Sequence, residues 1–424
     1  MPNRWGAWLL LLLAPALAQG ALAPLRNHPL KRQAEAGLLA ARKALEAQAA
    51  PLALSAQGNY ARLGYECTPK ALCQSLPETA GSLTLSLVLT PFPFGEVADG
   101  VERARLALRR AELGYRRALT ALQLQAATAH GRHRQALLGV QVAAKGVELA
   151  ALALEAARKR GASPRELREA ELNLKDAENR LEEAKRALAL AERAAEGLVD
   201  LKAPFPEVPP PRGTAPLSLE EARLGVREAE IALEASKRAL LPTLQGSLLL
   251  YPSGNDTWAL SLSSKTLQPA LSYTRQDPAR SPTAIPNAGS YRTTEELRLS
   301  LSLTLSPGLF AALEAAEAQK KAAEEALRAA ELQAALQEEG LKNALRGAEA
   351  TLELTRLKKA SAESALAEAK KRLELGLESP LGVLQAELSL LQAELALTQA
   401  EYALKERLLE LYQFYGELLP EVME

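Results

Sequence analysis

The chain is written twice, and this repetition constrains its fold more than any single motif. Ala107-Leu-Arg-Arg-Ala-Glu-Leu113 returns as Ala326-Leu-Arg-Ala-Ala-Glu-Leu332. Gly161-Ala-Ser163-Pro164 is echoed by Gly376-Leu-Glu-Ser379-Pro380, and Ala170-Glu-Leu-Asn-Leu174 by Ala386-Glu-Leu-Ser-Leu390. Upstream, Ala44 leads to Pro51 as Ala235 leads to Pro242. Alanine- and leucine-rich helices echo one another by chance, so the shared order of all four carries the weight. One structural unit is used twice. A length of 424 residues would otherwise suggest two or three globular domains.

Each copy reads alike. A helix comes first, 30–49 and 219–240, and proline stops it. A β-type region follows, then a very long helix, 97–160 and 310–375. A Gly/Ser/Pro break reverses the chain into another helix, 164–197 and 380–415. Pro164 and Pro380 each follow a serine, the order of an N-cap and the first helical position. A helix of roughly 64 residues spans about 95 Å at ~1.5 Å per residue. The helices before the β region and after the turn together match that length, so they can run alongside it. Alanine at the seam lets long helices approach closely and wind around each other. The expected organisation is a signal peptide at 1–18, a first repeat at 19–200 with strands in 57–95, a stiff proline-rich linker at 201–216, and a second repeat at 217–424 with strands in 243–306.

The β windows alternate with period two. Leu297, Leu299, Leu301, Leu303 and Leu305 share one face, and Arg298, Ser300, Ser302, Thr304 and Ser306 the other. In the first copy Leu83, Leu85, Leu87 and Leu89 oppose Ser82, Thr84, Ser86 and Thr90. That is a strand with one apolar and one polar face, of about the length that crosses a bilayer at a tilt. The stretch 59–65 is a partner for the first of these strands. The stretches 244–251, 258–263 and 268–274 compete to pair with the second. Aromatics are 4% of the chain, yet nine of the fifteen outside the leader fall in or just beside these windows: Tyr60, Tyr65, Phe92, Phe94, Tyr251, Trp258, Tyr273, Tyr291 and Phe310. Aromatic girdles mark the interfaces of membrane barrels. Strand packing in a soluble sandwich also enriches aromatics. Four strands cannot close a barrel, and an open sheet in lipid leaves its edges unsatisfied. Several chains must share one barrel, and three chains of four strands make twelve.

The N-terminus is an address. Arg4, a leucine run and Ala16-Leu-Ala18 read as a cleaved export signal, and no later run of about 18 consecutive apolar residues follows. In an exported chain Cys67 and Cys73, with five residues between them, are expected to close a small loop disulfide. Basic and acidic residues are equal at 51 each, which argues against nucleic acid as a partner. His130 and His133, beside Arg132 and Arg134, read as a solvated helix face, since zinc would need more ligands. Catalytic residues, metal ligands and a cofactor site are not expected, so an enzyme is not. The first inter-helix turn is basic, with Arg158, Arg160 and Arg165; the second is acidic, with Glu374 and Glu378. Opposite charges on neighbouring tips can latch an entrance.

A leader, two repeats of helix, strands, long helix, turn and helix, and glycine-plus-serine turns resemble the TolC-type outer-membrane efflux family. The matching residues are Pro51 and Pro242, the passages Pro91 to Gly95 and Pro307 to Phe310, and the turns Gly161/Ser163 and Gly376/Ser379. The second turn is one residue longer than the first, and the second β window is unusually long. The resemblance implies a mainly α fold with a small β part: antiparallel coiled-coil hairpins forming a tunnel in the periplasm, and strands given to a trimeric transmembrane β-barrel in outer-membrane lipid. It implies a homotrimeric exit duct that works with a periplasmic adaptor protein and an inner-membrane pump, in efflux or type I secretion. The tip residues Arg158, Arg160, Gly161, Ser163, Pro164, Glu374, Gly376, Glu378, Ser379 and Pro380 would then contact the adaptor or gate the entrance. The loop holding both cysteines would face outside. Two other readings are a periplasmic adaptor of the membrane-fusion type and a structural coiled coil spanning the envelope. Two hairpins and long alternating strands argue against the adaptor, and the strands are unexplained by a plain coiled coil.

Overall fold

The computed structural model describes residues 20–213, 215–286 and 288–420. The expected leader lies outside the described residues. The elements run α1 Pro29–Gln48, β1 Leu52–Arg62, β2 Thr79–Leu89, α2 Gly95–Lys159, α3 Pro164–Ala195, α4 Leu217–Ala239, β3 Thr243–Leu250, β4 Asp256–Ser263, β5 Ala270–Asp277, β6 Thr283–Ile285, β7 Gly289–Tyr291, β8 Glu295–Ser302, α5 Pro307–Glu374 and α6 Pro380–Tyr415. They fall into two units. Among the described residues, one holds those up to Gly37, Glu112–Glu221 and those from Ala329 to 420; the other holds Leu38–Ala111 and Ala222–Arg328.

The second unit contains one antiparallel six-stranded sheet in the order β1-β2-β5-β4-β3-β8, with β6 and β7 as a separate small hairpin. Two sequence expectations change here. β1 starts at Leu52, directly after the helix-stopping Pro51, whereas 59–65 was the expected partner. Its inner half, Leu52-Ala-Leu-Ser-Ala-Gln-Gly58, is rich in alanine, which blurs the alternation. The three stretches expected to compete for β8 are not alternatives. All three are strands: β3 takes β8 on one side and β4 on the other, and β4 and β5 lead across to β2. The chain contributes six strands to this sheet, not four.

α4 lies along the start of α2 in the same unit, where Arg110 bonds Glu228, Arg238 bonds Asp99, and Arg227 reaches Glu102 at 3.7 Å.

The first unit is helical. α3 runs antiparallel to α2: Arg158 meets Glu171 at 3.1 Å, and His133 meets Glu192 at 3.9 Å. α5 and α6 pair the same way, through Lys359 with Glu394 and Lys370 with Glu387. Its core joins Leu119, Leu122, Ala126 and Ala127 of α2 to Leu408, Leu409 and Tyr412 of α6. The segment before α1 adds Ala21, Leu22 and Leu25, and the proline-rich linker adds Phe205 and Val208. Each fully buried leucine stabilises by about 1.5–3 kcal/mol. The linker is extended, as its prolines dictate, but it is also anchored, because two apolar side chains interrupt the proline run.

One stretch of α2 is apolar enough in length and composition to cross a membrane. Runs of consecutive apolar residues did not reveal it, since scattered charges interrupt them.

Candidate functional site

The sheet is inside out by the standards of a soluble protein. The ladders set Leu54, Leu87, Leu271, Leu260, Leu248 and Leu297 side by side, one leucine from each strand, in a single row across the sheet. On either side of that row lie Leu52, Leu85, Leu89, Leu262 and Leu299. These leucines are mostly solvent-facing: Leu54 is 75% exposed, Leu260 49% and Leu299 71%. The opposite face carries Ser55, Ser86 and Ser272 in one row and Gln57, Thr84, Thr274 and Thr257 in the next. On the inner strands β2, β4 and β5 it is the more sheltered one. Thr257 is buried, and the Thr84 and Thr274 hydroxyls share a hydrogen bond of 3.0 Å. A water-surrounded sheet turns leucine inward and serine outward. A barrel wall in lipid does the reverse.

The aromatics border this face. Trp258 and Tyr273 are neighbours on β4 and β5, with ring centroids 4.9 Å apart, and the Tyr273 hydroxyl donates to Asp256 Oδ1 at 2.7 Å. Tyr60 is exposed on β1. At the strand ends that lead into the long helices, Phe92, Phe94 and Phe310 are exposed. Two aromatic rims on either side of a leucine band is the pattern that bilayer interfaces select.

The expected membrane residues divide. Leu83, Leu85, Leu87 and Leu89 lie on β2, and Leu297, Leu299 and Leu301 on β8. Leu303 and Leu305 do not lie on a strand: β8 stops at Ser302, which pairs with Thr243 at the start of β3. Pro242 precedes that residue and offers no amide hydrogen to extend the ladder. The alternation runs on, exposed, into α5. Between β1 and β2 a disulfide joins Cys67 and Cys73.

The two inter-helix turns are built alike. Gly161 and Gly376 take positive φ, +70° and +75°, which ends the long helix where a side chain would be strained. Ser163 accepts the Glu166 amide, while the Glu166 carboxylate accepts from the Ser163 amide at 2.8 Å, a complete capping box. Hydrogen bonds to its carboxylate from the Ser163 amide and then from the Ser163 hydroxyl hold the Glu166 carboxyl below the usual carboxylate range. Ser379 accepts the Gly382 amide at 3.1 Å, and Pro164 and Pro380 fill the first helical positions. The residue after Ser379 by three is Gly382, so the second turn has a cap without a box. Three of the tip charges are engaged within their own hairpins. Arg158 bonds Glu171, Lys159 bonds Glu155, and Glu378 accepts the Ser379 amide.

An ion pair that does cross between hairpins lies deeper. Lys145 of α2 reaches Glu387 of α6 at 3.0 Å, and Glu387 also meets Lys370 of α5 at 3.7 Å. Lys145 holds the Glu387 carboxyl below its ordinary range, with Lys370 adding to the effect. The sequence offered no signal for it, because Lys145 and Glu148 already look like a local helix pair, which they also are, at 2.8 Å.

The expected solvated face at His130 and His133 is overturned: they are 1% and 8% exposed. His130 Nδ1 meets the Tyr402 hydroxyl at 2.5 Å, and Nε2 faces the Ala203 carbonyl at 3.2 Å. Phe205 covers the ring. The linker hides what the flanking arginines suggested was exposed. Burial lowers the His130 pKa, so the ring is neutral; its Nε2–H donates to Ala203 and its Nδ1 accepts from Tyr402. Among the described residues no His, Cys, Asp and Glu cluster has the makings of a metal site.

A family model described as "Outer membrane efflux protein" matches residues 216–417, the second repeat. No curated protein sequence matches. Solved structures share the fold. The outer membrane protein VceC of Vibrio cholerae is 18% identical with a TM-score of 0.61, covering 93% of this chain and 94% of its own. The CmeC outer membrane channel of Campylobacter jejuni is 15% identical with a TM-score of 0.61, over 93% and 84%. The MtrE outer membrane channel of Neisseria gonorrhoeae is 18% identical with a TM-score of 0.60, over 93% and 87%. The second repeat is thus similar in sequence to outer membrane efflux proteins, and the chain as a whole shares the fold of these outer membrane channel structures.

Proposed function

We propose that three copies of the exported chain assemble one outer-membrane exit duct, the outer part of a tripartite efflux or type I secretion system. The carrying observation is the outward leucine face. A single chain leaves both edges of its sheet unpaired and its leucines in water, which lipid and neighbouring copies would correct. The helices say the same: Leu172 and Leu190 on α3, and Leu332 and Leu336 on α5, are each about seven-tenths exposed.

In this reading the helical hairpins stand in the periplasm. Their tips, Arg158, Arg160, Gly161, Ser163 and Pro164 on one and Glu374, Gly376, Glu378, Ser379 and Pro380 on the other, meet an adaptor protein. The chain performs no chemistry, so the energy for transport comes from an inner-membrane pump. Membrane fractionation with crosslinking tests the reading. A heat-labile trimer in the outer membrane is the expected result. A monomer that salt releases from the envelope would overturn it and favour a peripheral structural coiled coil.

A further inference from the structure

We infer that the barrel wall has eighteen strands, with the β4–β5 hairpin built into it, and that β1 of one copy pairs with β8 of the next. This rests on the trimeric reading above and sharpens it: a third of each chain's share of the wall comes from one hairpin.

Four observations carry it. First, the row of six leucines passes through β5 and β4 without a break: Leu87 of β2 is opposite Leu271, Leu271 opposite Leu260, and Leu260 opposite Leu248 of β3. A hairpin folded away from the wall would have no reason to keep leucine in register with both neighbours. Second, β4 and β5 are each eight residues long, the same as β3 and β8. They also carry their own rim pair, Trp258 and Tyr273, on the apolar face. Third, the polar faces agree. Thr274 and Ser272 of β5 continue the rows of Thr84 and Ser86, and Ser261 of β4 sits opposite Ser247 of β3.

Fourth, the directions permit closure. All five ladders are antiparallel, so with six strands the two edges, β1 and β8, run in opposite directions. A second copy placed edge to edge therefore continues the antiparallel pattern, and three copies can close the ring. The hairpin preserves this because it adds two strands; a single added strand would leave two parallel edges. The edge leucines are also the barest: Leu54 at 75% and Leu297 at 68%, against 38% for Leu248 and 41% for Leu271 inside the sheet. Barrel diameter grows roughly linearly with strand number, so eighteen strands make an exit about half again as wide as twelve. Its lumen would be lined by the serine, threonine and glutamine face.

Two measurements on the full-length trimer in lipid nanodiscs test this. A projection or map along the barrel axis counts the strands: eighteen is expected, and twelve with the hairpin outside the wall would overturn it. Cysteine pairs give an independent answer. Ser86→Cys with Ser272→Cys is expected to crosslink within a chain, and Ser86→Cys with Ser247→Cys is not. The reverse result means that β2 meets β3 directly and overturns the inference while leaving the trimeric duct standing. A protein that stays monomeric in lipid overturns both.

Discussion

Neutralising Glu387 should loosen the grip of one helical hairpin on the other. Its carboxylate holds Lys145 of α2 at 3.0 Å and Lys370 of α5 at 3.7 Å, so one side chain ties three helices. The pair is partly sheltered, with side-chain exposures of 25% for Lys145 and 30% for Glu387. Exposed ion pairs contribute ~0.2–1 kcal/mol, and solvent still screens this one, so about 0.5–1 kcal/mol per chain is a fair magnitude. Three copies acting together would bias the docked arrangement by about 1.5–3 kcal/mol, or roughly ten- to a hundred-fold in population. Glu387→Gln is therefore expected to raise the open time of the duct in planar bilayers, and Lys145→Gln to do the same. The double variant should add little to either, because both remove one interaction. Acid should mimic the substitution. Pairing lowers the Glu387 pKa, so its contribution is full above the ordinary carboxylate value of 4.5 and is lost as the pH falls through the lowered one. Pairing raises that of Lys145, so the same contact fails on the alkaline side only above 10.5. Unaltered gating in both single variants, or full additivity in the double, would refute the argument.

Other substitutions probe other links. Leu260→Arg puts a charge in the middle of the leucine row and is expected to cost about 2–4 kcal/mol, seen as lost outer-membrane trimer, whereas Ser261→Arg on the opposite face should be nearly silent; equal effects would mean that the two faces are wrongly assigned. Tyr402→Phe leaves His130 Nδ1 buried without its hydroxyl partner and should destabilise by ~1–3 kcal/mol in a thermal melt. Because burial lowers the His130 pKa, its contribution is complete above pH 6.5 and is lost as pH falls below that value; melts between pH 7 and pH 5 should show a loss in the native protein that His130→Phe lacks. Ser163→Ala removes the hydroxyl that caps α3 and should cost about 1 kcal/mol, fraying the first hairpin turn by hydrogen exchange without affecting the second.

The repeat, the long helices, their proline and glycine boundaries and the alternating strands were legible because each is a local signal. Proline cannot continue a helix, and period two is a statement about neighbours in sequence. What was not legible depended on contacts between distant residues. His130 and His133 sit among arginines and look solvated; they are buried because the linker lays Phe205 over His130, more than seventy residues later. Gly131 is where the helices come closest, since a Cβ there would come within 2.7 Å of the Tyr402 ring; Gly114, Gly139 and Gly146 of the same helix face open space, so glycine alone did not mark the crossing.

The strand count failed for a deeper reason. β4 and β5 each read as plausible strands, but nothing local says whether three candidates are rivals for one partner or members of one sheet. Register decides it, and register is set by the whole apolar face, because a slip of one residue would turn every leucine toward the polar side. The row through residues 54, 87, 271, 260, 248 and 297 exists only when all six strands are in place, and its order is not the order of the chain. The second repeat therefore differs from the first by a unit that keeps both rules of the sheet, alternation of faces and alternation of direction. An insertion that kept one rule and broke the other would have left either a charge-free strand with no lipid to face or two edges that could not meet.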